Sequence, residues 1–174
     1  MSDLNQAELP NIDLVVDMTQ EEKNQWKAEV KFLKAYFHFL LVSNYGPIPI
    51  VDTNLSISAS DTEVRLDRKT VDACFSYILE TIDAAIIDLP EKVLGNNDVG
   101  RIDKVIAKAI KSKVLLYGAS PLFNGNISMY SNFVNVEGEH FFNQNYESLK
   151  WEEAAQASKD ALNAAISQGA TMYY

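Results

Sequence analysis

A single cysteine, Cys74, leaves the chain without the means for an internal disulfide or a cysteine-based zinc site. It sits between Ala73 and Phe75 in an apolar-periodic stretch and is expected to pack as a small hydrophobe. Histidine is equally scarce. His38 falls on a lysine-lined helix face and His140 follows Glu137 and Glu139 in a loop, so no metal centre is expected from Glu137, Glu139 and His140. The 7 glycines are dispersed and form no phosphate-binding motif, which excludes a nucleotide cradle of that kind and gives no reason to expect a cofactor. The longest apolar runs, such as Phe39 to Val42, fall far short of the roughly 20 residues that cross a bilayer. Met1 to Pro10 carries Asp3, Asn5, Gln6 and Glu8 in place of the apolar centre of a secretory signal. Positive charge is also in deficit. With 15 basic against 24 acidic residues the net charge is -9, which repels nucleic-acid phosphates and anionic headgroups.

The 174 residues fit one ordinary domain, and 47% hydrophobic with 22% charged residues is the composition of a chain that folds. Four helical segments follow from apolar periodicity and capping signals, with no convincing strand pair, and the fold class is all-α. The first starts at Thr19, where Thr19-Gln20-Glu21-Glu22 has the capping-box pattern, and ends at Tyr45 before Gly46-Pro47. Its expected core stripe is Trp26, Val30, Leu33, Phe37 and Leu40, widened by Ala28, Phe32, Ala35, Tyr36 and Phe39, with Lys27, Lys31, Lys34 and His38 as the polar strip. The second runs from Thr70 to Leu89 with Val71, Phe75, Ile78, Ile82, Ala85 and Leu89 on one face and Pro90 beyond.

The third opens near Asp103 and ends around Gly118 to Pro121, with Val105, Ile106, Ala109, Ile110, Val114, Leu116 and Tyr117 as its apolar positions. The fourth begins near Ser148 and exits at Gly169, with Trp151, Ala154, Ala155, Leu162, Ala165 and Ile166 expected to face inward. Its alanines and its Trp151-Glu-Glu-Ala-Ala opening are similar to the first helix of a tetratricopeptide unit, in which small residues let paired helices nest. Uneven helix spacing excludes a simple repeat. The segments Ile48 to Lys69 and Pro121 to Glu147 are long insertions decorating the stack.

Glu29 falls in the apolar sector of the first helix, where a carboxylate needs a partner. Either Arg101 supplies a structural ion pair or Glu29 is hydrogen-bonded elsewhere. The acidic pairs Asp83 with Asp88 and Glu152 with Glu153 flank apolar stripes and read as solvated helix faces, not as the facing carboxyls of a glycosidase. No catalytic residue is assigned. Phe123, Tyr130, Phe133, Phe141 and Phe142 lie in the second insertion. Loop aromatics of this kind either pin the loop to the core or stack on sugar rings, and Tyr130 and Phe133 are the candidates for ligand contact.

Taken in order, the blocks resemble the SusD/RagB family. They are Trp26 through Phe32, Tyr36 and Phe39 to Tyr45-Gly-Pro-Ile-Pro-Ile50; Val71 to Pro90; Gly100-Arg-Ile-Asp103 through Tyr117 to Ala119-Ser-Pro-Leu-Phe-Asn-Gly125; Tyr146 to Ala165; and Gly169 to Tyr173. The resemblance covers residues 20 to 174, and Ala119 to Gly125 is its most specific phrase. It implies tetratricopeptide-like stacked helix pairs, with residues 1–18 as an N-terminal extension and 19–174 as the helical-repeat domain. It also implies a non-catalytic glycan- or nutrient-binding protein of the bacterial outer membrane that works with a TonB-dependent transporter in oligosaccharide uptake. Family members are longer, begin with a lipoprotein signal whose cysteine is acylated, and continue into a C-terminal region. The chain is therefore expected to be the helical-repeat portion of such a protein, with much of the sugar site contributed by segments outside it. The alternative from a different class is a helical protein-interaction scaffold that binds no sugar directly.

Overall fold

The computed structural model describes residues 9, 11–93, 95 and 98–171, so the last residues of the resemblance, up to Tyr173, lie outside the described part. Among the described residues the regular structure is helical, apart from one isolated bridge between Val134 and His140. Four long helices carry the fold: α1 (Gln20–Tyr45), α3 (Val71–Asp88), α4 (Lys104–Ala119) and α6 (Leu149–Ser167). Two single-turn helices, α2 (Asp61–Val64) and α5 (Ile127–Tyr130), lie in the two long connections.

Each long helix starts where local chemistry starts it. At Thr19 the hydroxyl accepts from the Glu22 amide while the Glu22 carboxylate accepts from the Thr19 amide, so two of the exposed backbone donors are satisfied reciprocally. The Thr19 amide and, with it, the Thr19 hydroxyl donate to the Glu22 carboxylate and hold that carboxyl below its ordinary value. Thr70 and Asp103 cap α3 and α4 by accepting from the amides of Ala73 and Ile106. The exit of α1 is set by Gly46, whose φ of 72° suits a residue without Cβ and whose Cα faces the Phe142 ring.

The helices pack as two antiparallel pairs, α1 with α3 and α4 with α6, joined by contact between α3 and α4. Ala28 and Phe32 near the start of α1 meet Ala85 and Leu89 at the end of α3, with Ala107 of α4 against them. Ala35, Phe39 and Val42 continue into a larger cluster with Val71, Cys74, Phe75, Ile78, Ile82 and Val114. Cys74 is buried, its Sγ lying 3.6 Å from the Ile48 carbonyl oxygen, and burial pushes its thiol above the ordinary value. The arrangement is the stack of helix pairs with long insertions expected of a tetratricopeptide-like domain.

The face of α1 differs from expectation. The stripe of Trp26, Leu33, Phe37 and Leu40 is not the core side, since Trp26 is 48% and Phe37 58% exposed. The buried side is Ala28, Phe32, Ala35, Phe39 and Val42, together with Lys31 and His38 from the expected polar strip. The cause is close approach: Ala28 and Ala35 let α3 come near, whereas the bulky stripe would hold it away. On α4 the buried residues are Ala107, Val114 and Ala119, while Ile106, Ala109, Leu116 and Tyr117 are exposed. The same rule holds for α6. Ala154 is buried, with Ala157, Ala161, Ala164 and Ala165 partly covered, whereas Trp151, Ala155, Leu162 and Ile166 are exposed. The alanine side of α6 meets α4, where the Ser112 and Ser158 hydroxyls lie 2.7 Å apart.

Replacing Phe142, which is 2% exposed, with Ala is expected to cost about 3 to 5 kcal/mol in urea unfolding, while Phe37→Ala on the uncovered face changes stability by less than about 1 kcal/mol. In the native chain Cys74 should react with a thiol reagent only as fast as the fold opens, which is checked by comparing labelling rates with and without denaturant.

Candidate functional site

The second long connection builds an aromatic ladder from the core outward. Phe75 of α3 meets Phe123 edge-on at 5.3 Å, Phe123 stacks on Phe142 at 6.0 Å, and Phe142 stacks on Tyr130 at 3.9 Å between ring centres. Phe133 adjoins the ladder, 4.9 Å from Phe141 and 6.2 Å from Phe142. Phe123, Phe141 and Phe142 are buried and pin the connection to the helices, with the Val71 amide donating to the Phe141 carbonyl at 2.8 Å. Tyr130 and Phe133 form the outer end. With the exit of α1 from Val42 to Pro47, and with Leu122, they line a hollow of about 230 Å³ that includes the short polar side chains of Ser43 and Asn44. Aromatic rings beside small hydrogen-bonding groups are the chemistry that accepts a sugar, whose apolar faces stack while its hydroxyls bond at the rim.

The specific phrase at the end of α4 is explained by its geometry. Asn124 is buried, and its side chain donates to the Ala119 and Glu147 carbonyls at 3.3 and 2.9 Å while accepting from the Glu147 amide at 2.9 Å. Gly125 has a φ of 75°, and a Cβ there would lie 2.7 Å from the Tyr146 backbone nitrogen. Only glycine fits this crossing. Asn124 was not singled out from the sequence. Its signal is a buried amide at a helix exit, which is legible only once the chain segment it bonds is known.

Glu29 and Arg101 are brought together. Arg101 Nη2 lies 2.9 Å from Glu29 Oε1 and its Nε donates to the same oxygen at 3.0 Å, while Nη1 donates to Asp98 at 3.2 Å. The guanidinium also sits 5.7 Å from the centre of the Trp26 ring. Partial burial works against the charge on Arg101, but the hydrogen bonds it donates to Glu29 and Asp98, with the attraction of their charges, outweigh it and hold its pKa above the ordinary value. Gln25 supplies a further donor to Glu29 at 3.0 Å. This cluster joins the start of α1 to the approach to α4.

The remaining candidates stand apart from one another. Asp83 is bonded by Lys111 at 2.7 Å and Asp88 and Glu152 are exposed, while Glu153 borders a hollow of about 260 Å³ together with Asp72 and Glu147, whose carboxylates both lie against Lys150. Glu137, Glu139 and His140 are exposed in a turn organised by Asn135, whose side chain accepts from the Glu137 and Glu139 amides at 3.0 and 2.8 Å. Among the described residues there is no group of three His, Cys, Asp or Glu placed to hold a metal ion.

His38 is a correction to the reading of a solvated lysine strip: it is 8% exposed, lies 5.0 Å from the Tyr77 ring and is covered by the chain after α1. A groove of about 510 Å³ runs beside it, between the uncovered side of α1 (Val30, Leu33, Phe37, Leu41) and the segment from Pro49 to Asn54. Sequence reasoning missed this groove because it placed Val30, Leu33 and Phe37 in the core.

A family model described as starch-binding and associating with the outer membrane, of SusD-like type, matches residues 5–116. No curated protein matches the chain. Among solved structures, BT4246 is 35% identical with a TM-score of 0.84, and the match covers 95% of this chain and 29% of that one. A laminarin-binding SusD-like protein is 25% identical with a TM-score of 0.56, covering 67% of this chain and 24% of its own. A SusD-like protein of Bacteroides fragilis, BF3747, is 20% identical with a TM-score of 0.65, covering 97% and 26%, and shows the same fold. The chain thus spans less than a third of the length of these relatives. Among the described residues no helix is long and apolar enough to cross a membrane.

Arg101→Met, which keeps the bulk and removes the charge, is expected to lower stability by about 1 to 3 kcal/mol through the partner left at Glu29, measured by urea unfolding. The double variant Arg101→Met with Glu29→Gln should recover part of that loss.

Proposed function

Because the chain belongs to the SusD-like family of starch-binding, outer-membrane-associated proteins, we propose that it is the helical-repeat portion of a protein that captures oligosaccharides for uptake. The observation that carries this reading is the match to BT4246 over 95% of the chain at a TM-score of 0.84. Members of the family are non-catalytic binding proteins. Capture alone requires shape, stacking and hydrogen bonding, with no bond broken.

On this reading the hollow at Tyr130 and Phe133 is a sugar-contact surface, and the whole protein delivers its ligand to a TonB-dependent transporter from a lipid-anchored position on the outer membrane. The laminarin-binding relative makes a neutral β-glucan a reasonable first ligand, and the net charge of -9 disfavours anionic glycans. The second reading, a protein-interaction scaffold, is favoured by the apolar side of α1, where Trp26, Leu33, Phe37 and Leu41 stand uncovered by any described helix.

The two readings part in one titration. Calorimetry with laminari- and malto-oligosaccharides is expected to show binding that Tyr130→Ala and Phe133→Ala each weaken by about 2- to 10-fold, the worth of one aromatic stacking contact. A chain that binds neither oligosaccharide series would overturn the sugar-contact surface at Tyr130 and Phe133 and leave the scaffold reading.

A further inference from the structure

An α-helix leaves its last carbonyls without intrahelical donors, and the chain that follows has to supply them. After α1 it does so once, where the Gly46 amide donates to the Val42 carbonyl at 2.9 Å. The chain then turns away at Gly46, and both Pro47 and Pro49 lack an N–H. Among the described residues no group donates to the carbonyls of Ser43, Asn44 or Tyr45. This same turn lines the hollow of about 230 Å³ together with Tyr130 and Phe133.

The side chains of the turn add to the imbalance. Ser43 spends its hydroxyl proton on the Leu40 carbonyl at 3.0 Å, so its oxygen is left only to accept. Asn44 commits one N–H to the same carbonyl at 2.7 Å and keeps its oxygen and a second N–H. The other side-chain donors of the lining are the Tyr45 and Tyr130 hydroxyls, which accept as readily as they donate. No basic residue stands in the last turn, and none of the described residues lining the hollow is charged. The open carbonyls are also the negative end of the helix dipole.

Resting on the reading of this hollow as a sugar-contact surface, we propose that it selects uncharged sugars through hydroxyl groups that donate to the exit of α1. One face of the Tyr130 ring is taken by Phe142, 3.9 Å away and 8° from parallel, so the sugar stacks on the other. A sugar hydroxyl can donate and accept, and here its proton is the part that is used. Two kinds of sugar are disfavoured by the same surface. A uronate brings oxygens that only accept, and a negative charge, to carbonyls that hold the negative end of a dipole. A deoxyfluoro sugar keeps the size, the neutrality and the stacking face, but has no proton to give at the substituted position. The net charge of -9 acts on the first of these and not on the second, which separates the local chemistry from the general field.

The experiment is a nuclear magnetic resonance titration of the full 174-residue chain with laminaritriose, with its C6-oxidised glucuronate form and with a set of its mono-deoxyfluoro forms. Each is measured at about 0.15 M and about 0.5 M salt, the second screening all but the nearest charges. Laminaritriose is expected to shift the amides of Ser43 to Tyr45 and of Tyr130. The glucuronate form should have a Kd at least about fivefold higher at both salt concentrations, and at least one deoxyfluoro form a Kd about 3- to 10-fold higher. Asn44 is exposed, and Asn44→Lys sets a donor and a cation where the helix dipole accepts one, so it should narrow or reverse the preference over glucuronate. Equal binding of the glucuronate form in about 0.5 M salt, deoxyfluoro forms that all bind like the parent, or a preference that Asn44→Lys leaves untouched would each overturn the proposal while the sugar-contact surface stands. Laminaritriose binding that leaves Ser43 to Tyr45 unshifted, or that Tyr130→Ala does not weaken, would overturn the surface and the proposal together, as would a chain that binds none of these sugars.

Discussion

The close approach of α1 to α3, made possible by Ala28 and Ala35, is the constraint on which the rest of the domain depends. Small side chains at these positions bring the two backbones near enough for Phe32, Phe39 and Val42 to reach Ile78, Ile82 and Ala85. Once that face is committed, every other feature of α1 is assigned by elimination. Trp26, Leu33 and Phe37 must turn outward, and Lys31 and His38 come to lie at the margin, where the chain after the helix covers them. Alanines do the same between α4 and α6, so both pairs are set by what is absent from the seam as much as by what fills it.

This explains what the sequence disclosed and what it withheld. Helix limits were legible because they are local: a threonine hydroxyl and a glutamate carboxylate three residues on, a glycine at a left-handed exit, a proline after Leu89. The buried side of α3 was legible because its large apolar positions, Ile87 apart, cluster in one sector from Val71 to Leu89. On α1 the apolar residues run around most of the cylinder, and periodicity gives no preference among sectors. Bulk suggested one side and close packing selected another. On α6 the large residues drew attention away from the alanines for the same reason.

The site shows a similar division. That some aromatics of the second connection would anchor it could be read from their placement, but their order in the ladder could not, because Phe123 and Phe142 lie far apart in sequence and are aligned by the fold. The approach of Arg101 to Glu29 was open to reasoning because a carboxylate in an apolar sector demands a partner, and few cations were at hand. The bond from Val51 to His38 was beyond reach, since backbone amides carry no mark in the sequence of where they will point.

The crossing at Asn124 and Gly125 brings the two ends of the second connection to a single place, the side-chain amide of one end bonding both the amide and the carbonyl of Glu147 at the other. An excursion clamped at its base is decoupled from the helices that launch and receive it, because its length no longer alters the distance those helices must span. The stretch beyond the clamp can thus be shortened, lengthened or exchanged as a cassette while the scaffold beneath stays in register, which is how a single architecture can present different surfaces to different ligands.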